Sequence, residues 1–160
     1  MTPDLDRAAF EDEQAIRRMV AFYSDAISHL DAVQAASLYA EDGVVSIAGH
    51  RTFGRAAIEE GLRASFASFR LLRLLAHGGL IDVSGDRARA RWSTLEFGVR
   101  EGADALHCIF GRYEDALCRK SEGWRFESRS FTLAGRAMLD PAKLQLNPDF
   151  AATLLPLHFA

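Results

Sequence analysis

Cysteine is scarce in this chain, two residues in 160, and Cys108 and Cys118 stand ten apart, a spacing that matches no zinc or redox motif. A disulfide-stapled scaffold is thereby excluded, and structural free thiols in a reducing compartment, the cytoplasm, are expected. Proline is scarce as well: Pro3 sits at the start, and Pro141, Pro148 and Pro156 fall together near the end. No apolar run is long enough to span a bilayer, so no membrane partner is expected. The acidic beginning, MTPDLDRAAFEDE, lacks a cationic n-region and an apolar h-region, which argues against a secretory signal. A surplus of one charge is missing too. The formal net charge is −3 with basic and acidic residues interleaved, leaving no electrostatic ground for a nucleic-acid partner. Phosphate-cradling glycine loops, GxSxG elbows and HExxH helices are absent. The five histidines are scattered without ligand spacing, so no metal is expected.

What is present is an ordinary globular composition, 49% hydrophobic and 26% charged, enough for one domain with a sizeable core. The organising stretch is YSDAISHLDAVQAASLYAEDGVVSIAGHRTFGRAAIEEGL, residues 23–62. From about Asp12, apolar residues recur at Ile16, Met19, Val20, Tyr23, Ile27 and Leu30, the i, i+3, i+4 stripe of an amphipathic helix. Asp31 opens a second, short helix, which Glu41-Asp42-Gly43 stops. Val44 to Ala48 is β-branched enough for a strand. Gly49 and Gly54 bracket a turn, and Ala56 to Phe69 predicts a third helix. Beyond it, Leu71–Ala76 and Leu80–Val83 read as extended segments separated by His77-Gly78-Gly79. Three long strands follow, Arg87–Arg100, Ala105–Arg119 and Trp124–Leu133, joined by short polar turns as in an antiparallel meander. On the first, Ala88, Ala90, Trp92, Thr94 and Glu96 share a face; on the second, His107, Ile109, Gly111 and Tyr113 do. Residues 1–135 form the expected domain. Residues 136–160 read as an apolar tail that packs on the domain or on a neighbouring subunit.

Helices first and a strand meander after is the α+β pattern. Three amphipathic helices packed on a strongly curved antiparallel sheet would make a cone-shaped α+β barrel with a central pocket. The order and spacing of SLYAEDGVVSI, FGRAAIEEGL, VSGDRARARW, GRYEDALCR and EGWRFESR resemble the SnoaL-like branch of the nuclear transport factor 2-like superfamily, over roughly residues 15–133. The resemblance implies a curved-sheet cone, a homodimer or homotrimer, no metal or organic cofactor, and, for many members, lyase or isomerase chemistry of the dehydratase kind. It also implies an Asp at the end of the first helix, matching Asp31, paired with a His on a following strand. Aligned back from Ser84-Gly85-Asp86, that His falls near Arg73 or Leu74, while His77 falls where Asn is commoner.

Two readings of Asp31 stand side by side. Asp31-x-x-Gln34 is close to a capping box, worth about 1 kcal/mol to a helix. Alternatively Asp31 orients an imidazole, with His77 abstracting a proton near neutral pH. The remaining candidates are substrate-binding residues. Arg73 would anchor a carboxylate or carbonyl, and Trp92 and Tyr113 would line an aromatic pocket. Glu96 and His107 stand out as polar groups on an apolar face, Tyr39 lies near the expected rim, and Arg129 matches a basic residue of the family. The expected activity is a cofactor-independent lyase or isomerase acting on a small hydrophobic, cyclic molecule. The alternative is a non-catalytic binding or assembly module of the same fold.

Overall fold

The first helix extends back through the acidic beginning, and α1 spans Pro3–Ser28 as one element. The computed structural model describes residues 3–103 and 105–140. Ile16, Met19, Val20, Tyr23, Ala26 and Ile27 are all buried along one side of α1. Burial of each large side chain contributes about 1.5–3 kcal/mol. The helix closes with Leu30 in the left-handed region (φ 59°) and the Asp31 amide donating back to the Ala26 carbonyl at 2.9 Å, the wrap that ends many helices. The six-residue α2, Ala32–Ser37, follows at once.

β1 (Tyr39–Ile47) and β2 (His50–Phe53) form a hairpin. Ala48 and Gly49 connect them, both at positive φ, as a two-residue primed turn requires. After α3 (Arg55–Phe66) come four long strands: β3 (Phe69–Ser84), β4 (Arg87–Arg100), β5 (Leu106–Lys120) and β6 (Gly123–Leu139). The two extended segments expected on either side of His77-Gly78-Gly79 are one strand with a register shift between His77 and Leu80. β6 runs past Leu133 because an extra residue is accommodated between Leu133 and Gly135, and the bulge breaks the alternation by which a strand is recognised.

The sheet order is β2-β1-β6-β5-β4-β3, open at both ends. The expected meander is present in β3 to β6. The sheet is mostly antiparallel, as expected, with one parallel pair: β1 lies parallel to β6, with Val44 opposite Ser128 and Ile47 opposite Phe131. The helices pack on one face, where Ala88, Ala90, Trp92 and Thr94 alternate inward along β4. α1 is stitched to β3 at its last turn. The Ser28 carbonyl accepts from Arg73 Nη1 at 2.6 Å, and the Leu74 amide donates to Ser28 Oγ at 3.0 Å. This seam fixes the distance between helices and sheet, and so the space left between them.

Candidate active site

That space is a cavity of about 260 Å³, close to the lower end of small-molecule sites. Tyr23 and Ile27 of α1, and Leu62 and Phe66 of α3, form one side. Leu72, Leu74, Thr94, Glu96, Ile109, Tyr113 and Phe131 form the sheet side, and Ile47, Ser65, Phe69 and Arg100 complete the lining. A larger depression of about 690 Å³ runs past Asp82, Arg89, Arg91 and Glu114, but it is more open to solvent and more polar. The less open, mostly apolar cavity is the better candidate site.

Within it, Glu96 is the unusual group. Strand alternation places its side chain inward beside Leu74 and Ile109, its partners in register on β3 and β5. Burial raises the carboxyl above the usual Glu range, and the Arg100 cation pulls it only partly back. Arg100 itself lies over the Phe69 ring at 4.7 Å and donates to Ser68 Oγ at 3.0 Å. Tyr113, opposite Trp92 on β4, has its hydroxyl pushed well above the ordinary tyrosine range, first by burial and then by neighbouring Tyr23. It therefore serves as a neutral hydroxyl.

Beneath the two cavity tyrosines lies a buried ion pair. Arg129 and Asp115 are fully buried, joined by Nε to Oδ1 at 2.8 Å and Nη2 to Oδ2 at 2.7 Å. Trp92 Nε1 donates to Asp115 Oδ2 at 3.0 Å. The Arg129 guanidinium stacks against Phe126 (3.9 Å), Tyr113 (4.3 Å) and Tyr23 (4.4 Å). Burial works against its charge, but the Asp115 carboxylate more than offsets this and holds it protonated. The pair sets the orientation of the rings that the cavity meets.

The structure therefore brings Glu96 and Tyr113 together in the cavity, with Arg129 and Trp92 in the layer behind. Tyr39 is completely buried, 6.2 Å from Tyr23 and 5.1 Å from Phe126 between ring centroids. It is a core residue, not a rim one. His107 is half-buried and opposite Gly98, two positions along β5 from Ile109. Arg73 is half-buried, its Nη1 bonded to the Ser28 and Leu72 carbonyls. Asp31 is exposed and its Oδ1 accepts from the Gln34 amide at 2.9 Å, capping α2. His77 is exposed, opposite Ser93. Neither lines the cavity. Asp31→Ala is accordingly expected to cost about 1 kcal/mol in urea denaturation, a loss that Asp31→Asn largely avoids because Asn caps equally well.

Two residues escaped the sequence reading. Arg100 stands two alternations beyond Glu96 on the same face, so the pattern that found one reaches the other. Asp115 shares a face with Tyr113 and Leu117, and a carboxylate between two core positions demands a buried cation. Among the described residues no group of three His, Cys, Asp or Glu side chains is placed to hold a metal, and no helix is long and apolar enough to cross a membrane.

A family model described as a SnoaL-like domain matches residues 8–130. Solved structures carry the same fold. A scytalone dehydratase candidate from Novosphingobium aromaticivorans is 23% identical with a TM-score of 0.78, over 82% of this chain and 90% of that one. A hexachlorocyclohexane dehydrochlorinase from Novosphingobium barchaimii is 17% identical with a TM-score of 0.76, over 91% and 99%. A protein of unknown function from Mycobacterium tuberculosis is 26% identical with a TM-score of 0.74, over 96% and 89%. No curated protein matches at a significant level.

Proposed function

The chain belongs to the SnoaL-like family, and from that premise we propose that it is a cofactor-independent lyase or isomerase of small hydrophobic, cyclic molecules, with Glu96 moving the proton. One observation carries this reading: a carboxyl whose proton affinity is raised by burial, facing an apolar cavity beside a neutral tyrosine hydroxyl. A raised carboxyl is a better base once ionised and, having taken a proton, can return it, which suits removal of a proton at one carbon and delivery at another. Tyr113 would donate to the oxygen on which charge develops. The dehydratase and dehydrochlorinase that share the fold act by name in eliminations, which is consistent with proton abstraction as the first event.

The test is exchange of the α-protons of small cyclic ketones, 2-indanone and 2-tetralone, in D2O followed by NMR. Wild type should accelerate exchange, and Glu96→Gln should lower the rate about 10²–10⁴-fold. If Asp31→Asn or His77→Ala abolishes exchange while Glu96→Gln does not, the chemistry belongs to the dyad implied by the family pattern. Glu96 also has a thermodynamic signature. Its raised pKa means that the folded state prefers the proton, so this group's contribution is complete below the ordinary Glu pKa of about 4.3 and is lost as pH rises through the folded value. Glu96→Gln should therefore melt higher than wild type at pH 7, the gap closing toward pH 4.

A second reading, a binding module without turnover, is favoured by the use of Asp31 as a cap and by its absence from the cavity lining. Ketone binding with no exchange in wild type would select it. Self-association is part of the proposal. Leu75, Leu95 and Phe110 lie in register across the uncovered face of the sheet, and Leu75 and Phe110 are about half exposed, the composition expected where a second copy docks. A cytoplasmic location is proposed from the free Cys108 and Cys118.

A further inference from the structure

Among the described residues, Glu96 and Arg100 are the two charged side chains that line the cavity, and both come from β4. Four steps of extended strand separate them, about 13 Å between α-carbons. Glu96 is half-buried and Arg100 is exposed, so the carboxyl lies deeper and the cation nearer solvent. Gly98 stands between them on the same face. A Cβ built there would fall 2.8 Å from Phe69 Cε1 and 3.2 Å from Leu72 Cδ1. The missing side chain is what lets the Phe69 ring lie against β4. The cavity thus presents an aromatic surface between a carboxyl and a cation.

The cation is held in place. Arg100 Nη1 donates to Ser68 Oγ at 3.0 Å, and that hydroxyl donates onward to the Ser65 carbonyl at 2.7 Å. The Ser68 carbonyl accepts the Glu101 amide at 3.0 Å, tying the end of β4 to the connection between α3 and β3. The guanidinium lies over the Phe69 ring at 4.7 Å, which leaves N–H groups in its plane available. Among the described residues no carboxylate lies within ion-pair distance of it.

We propose that Arg100 sets substrate choice: the cavity takes a hydrophobic cyclic acid, with its ring against Phe69 and its carboxylate on Arg100. Arginine meets a carboxylate with two parallel donors, which fixes orientation as well as affinity. An apolar pocket with one such group fixes which end of the ligand enters first. With the carboxylate at Arg100, the far side of a one- or two-ring body faces Glu96 and Tyr113. The chemistry at that far side rests on the Glu96 reading, whereas the binding at Arg100 does not.

Calorimetric titration of the full chain with 2-tetralone and with its 6-carboxylate tests this. Wild type should bind the carboxylate about tenfold or more tighter than the neutral ketone, the gap shrinking as salt is added. Arg100→Gln should erase the preference and leave 2-tetralone binding unchanged. Arg100→Lys should keep only part of it, because an ammonium lacks the paired donors. Glu96→Gln should keep the preference while α-proton exchange falls. A preference that depends on Arg100 in a wild-type chain without exchange would uphold the proposal and refute the Glu96 chemistry. Equal affinity for both ligands in wild type, or a preference that survives Arg100→Gln, would overturn the proposal. Equal loss of both ligands in that variant would overturn it too, by assigning Arg100 a structural role.

Discussion

Asp115→Ala is expected to destabilise the protein by about 3–5 kcal/mol, enough to unfold a domain of ordinary stability. The reason is the partner left behind. Arg129 has no solvent exposure, and two of its nitrogens reach Asp115 at 2.7 and 2.8 Å. Without the carboxylate, a guanidinium stays charged among Tyr23, Tyr113 and Phe126, whose π faces cannot replace two charge-assisted hydrogen bonds. Trp92 loses the acceptor for its indole N–H at the same time. The paired replacement Asp115→Leu with Arg129→Met removes both charges and should be far milder, since a buried ion pair contributes little net stability over a packed apolar pair. Urea denaturation of the three chains checks this. A single variant within about 1 kcal/mol of wild type would show that the pair is relaxed or hydrated and does not hold the cavity tyrosines.

Gly79→Ala should be the next most damaging change. A Cβ built at Gly79 falls 2.1 Å from Trp92 Cζ3 and 2.5 Å from Cη2, inside van der Waals contact. The ring cannot swing aside. It is buried, its nitrogen is bonded to Asp115, and Arg17 lies over it at 5.9 Å while donating to the Gly79 carbonyl. Overpacking of this kind costs about 1–3 kcal/mol, and a strained Trp92–Asp115 bond adds to it. Trp92→Leu in the same chain supplies the control. If the clash is the cause, the two changes together cost much less than their sum, and thermal melts of the four chains give the coupling. Additive losses would place the effect in the backbone of the β3 bulge instead.

Much of the architecture was legible because it is local. The i, i+3, i+4 stripe of α1 and the alternation along β4 and β5 need only neighbouring residues, and they put Glu96 and Tyr113 on the inward face. Other features depend on partners far away in the chain. Nothing near Val44 announces Ser128 as its neighbour, so a parallel β1–β6 pair was not anticipated. Arg129 stood out as a candidate while Asp115 was passed over, because their pairing depends on adjacent strands whose register no local pattern specifies. Asp31 is the opposite case. Its own neighbourhood, with Gln34 three residues on, described the cap correctly, while its resemblance to a catalytic aspartate drew attention to a role the cavity lining does not include. The bulge at the Leu133–Gly135 step hid the last turnless stretch of β6 by shifting its alternation.

The parallel pairing of β1 with β6 also bears on how the molecule is made. β1 joins a partner more than eighty residues later, whereas β3 through β6 each meet their neighbour across a short turn. Contacts so distant in sequence slow folding, because the loop must close before they form. As the chain leaves the ribosome, α1, α2 and the β1–β2 hairpin emerge with the core side of β1 exposed until β6 is complete. The cavity exists only once β1 and β6 meet, and the helical half depends on a strand synthesised after β3, β4 and β5 to become a wall.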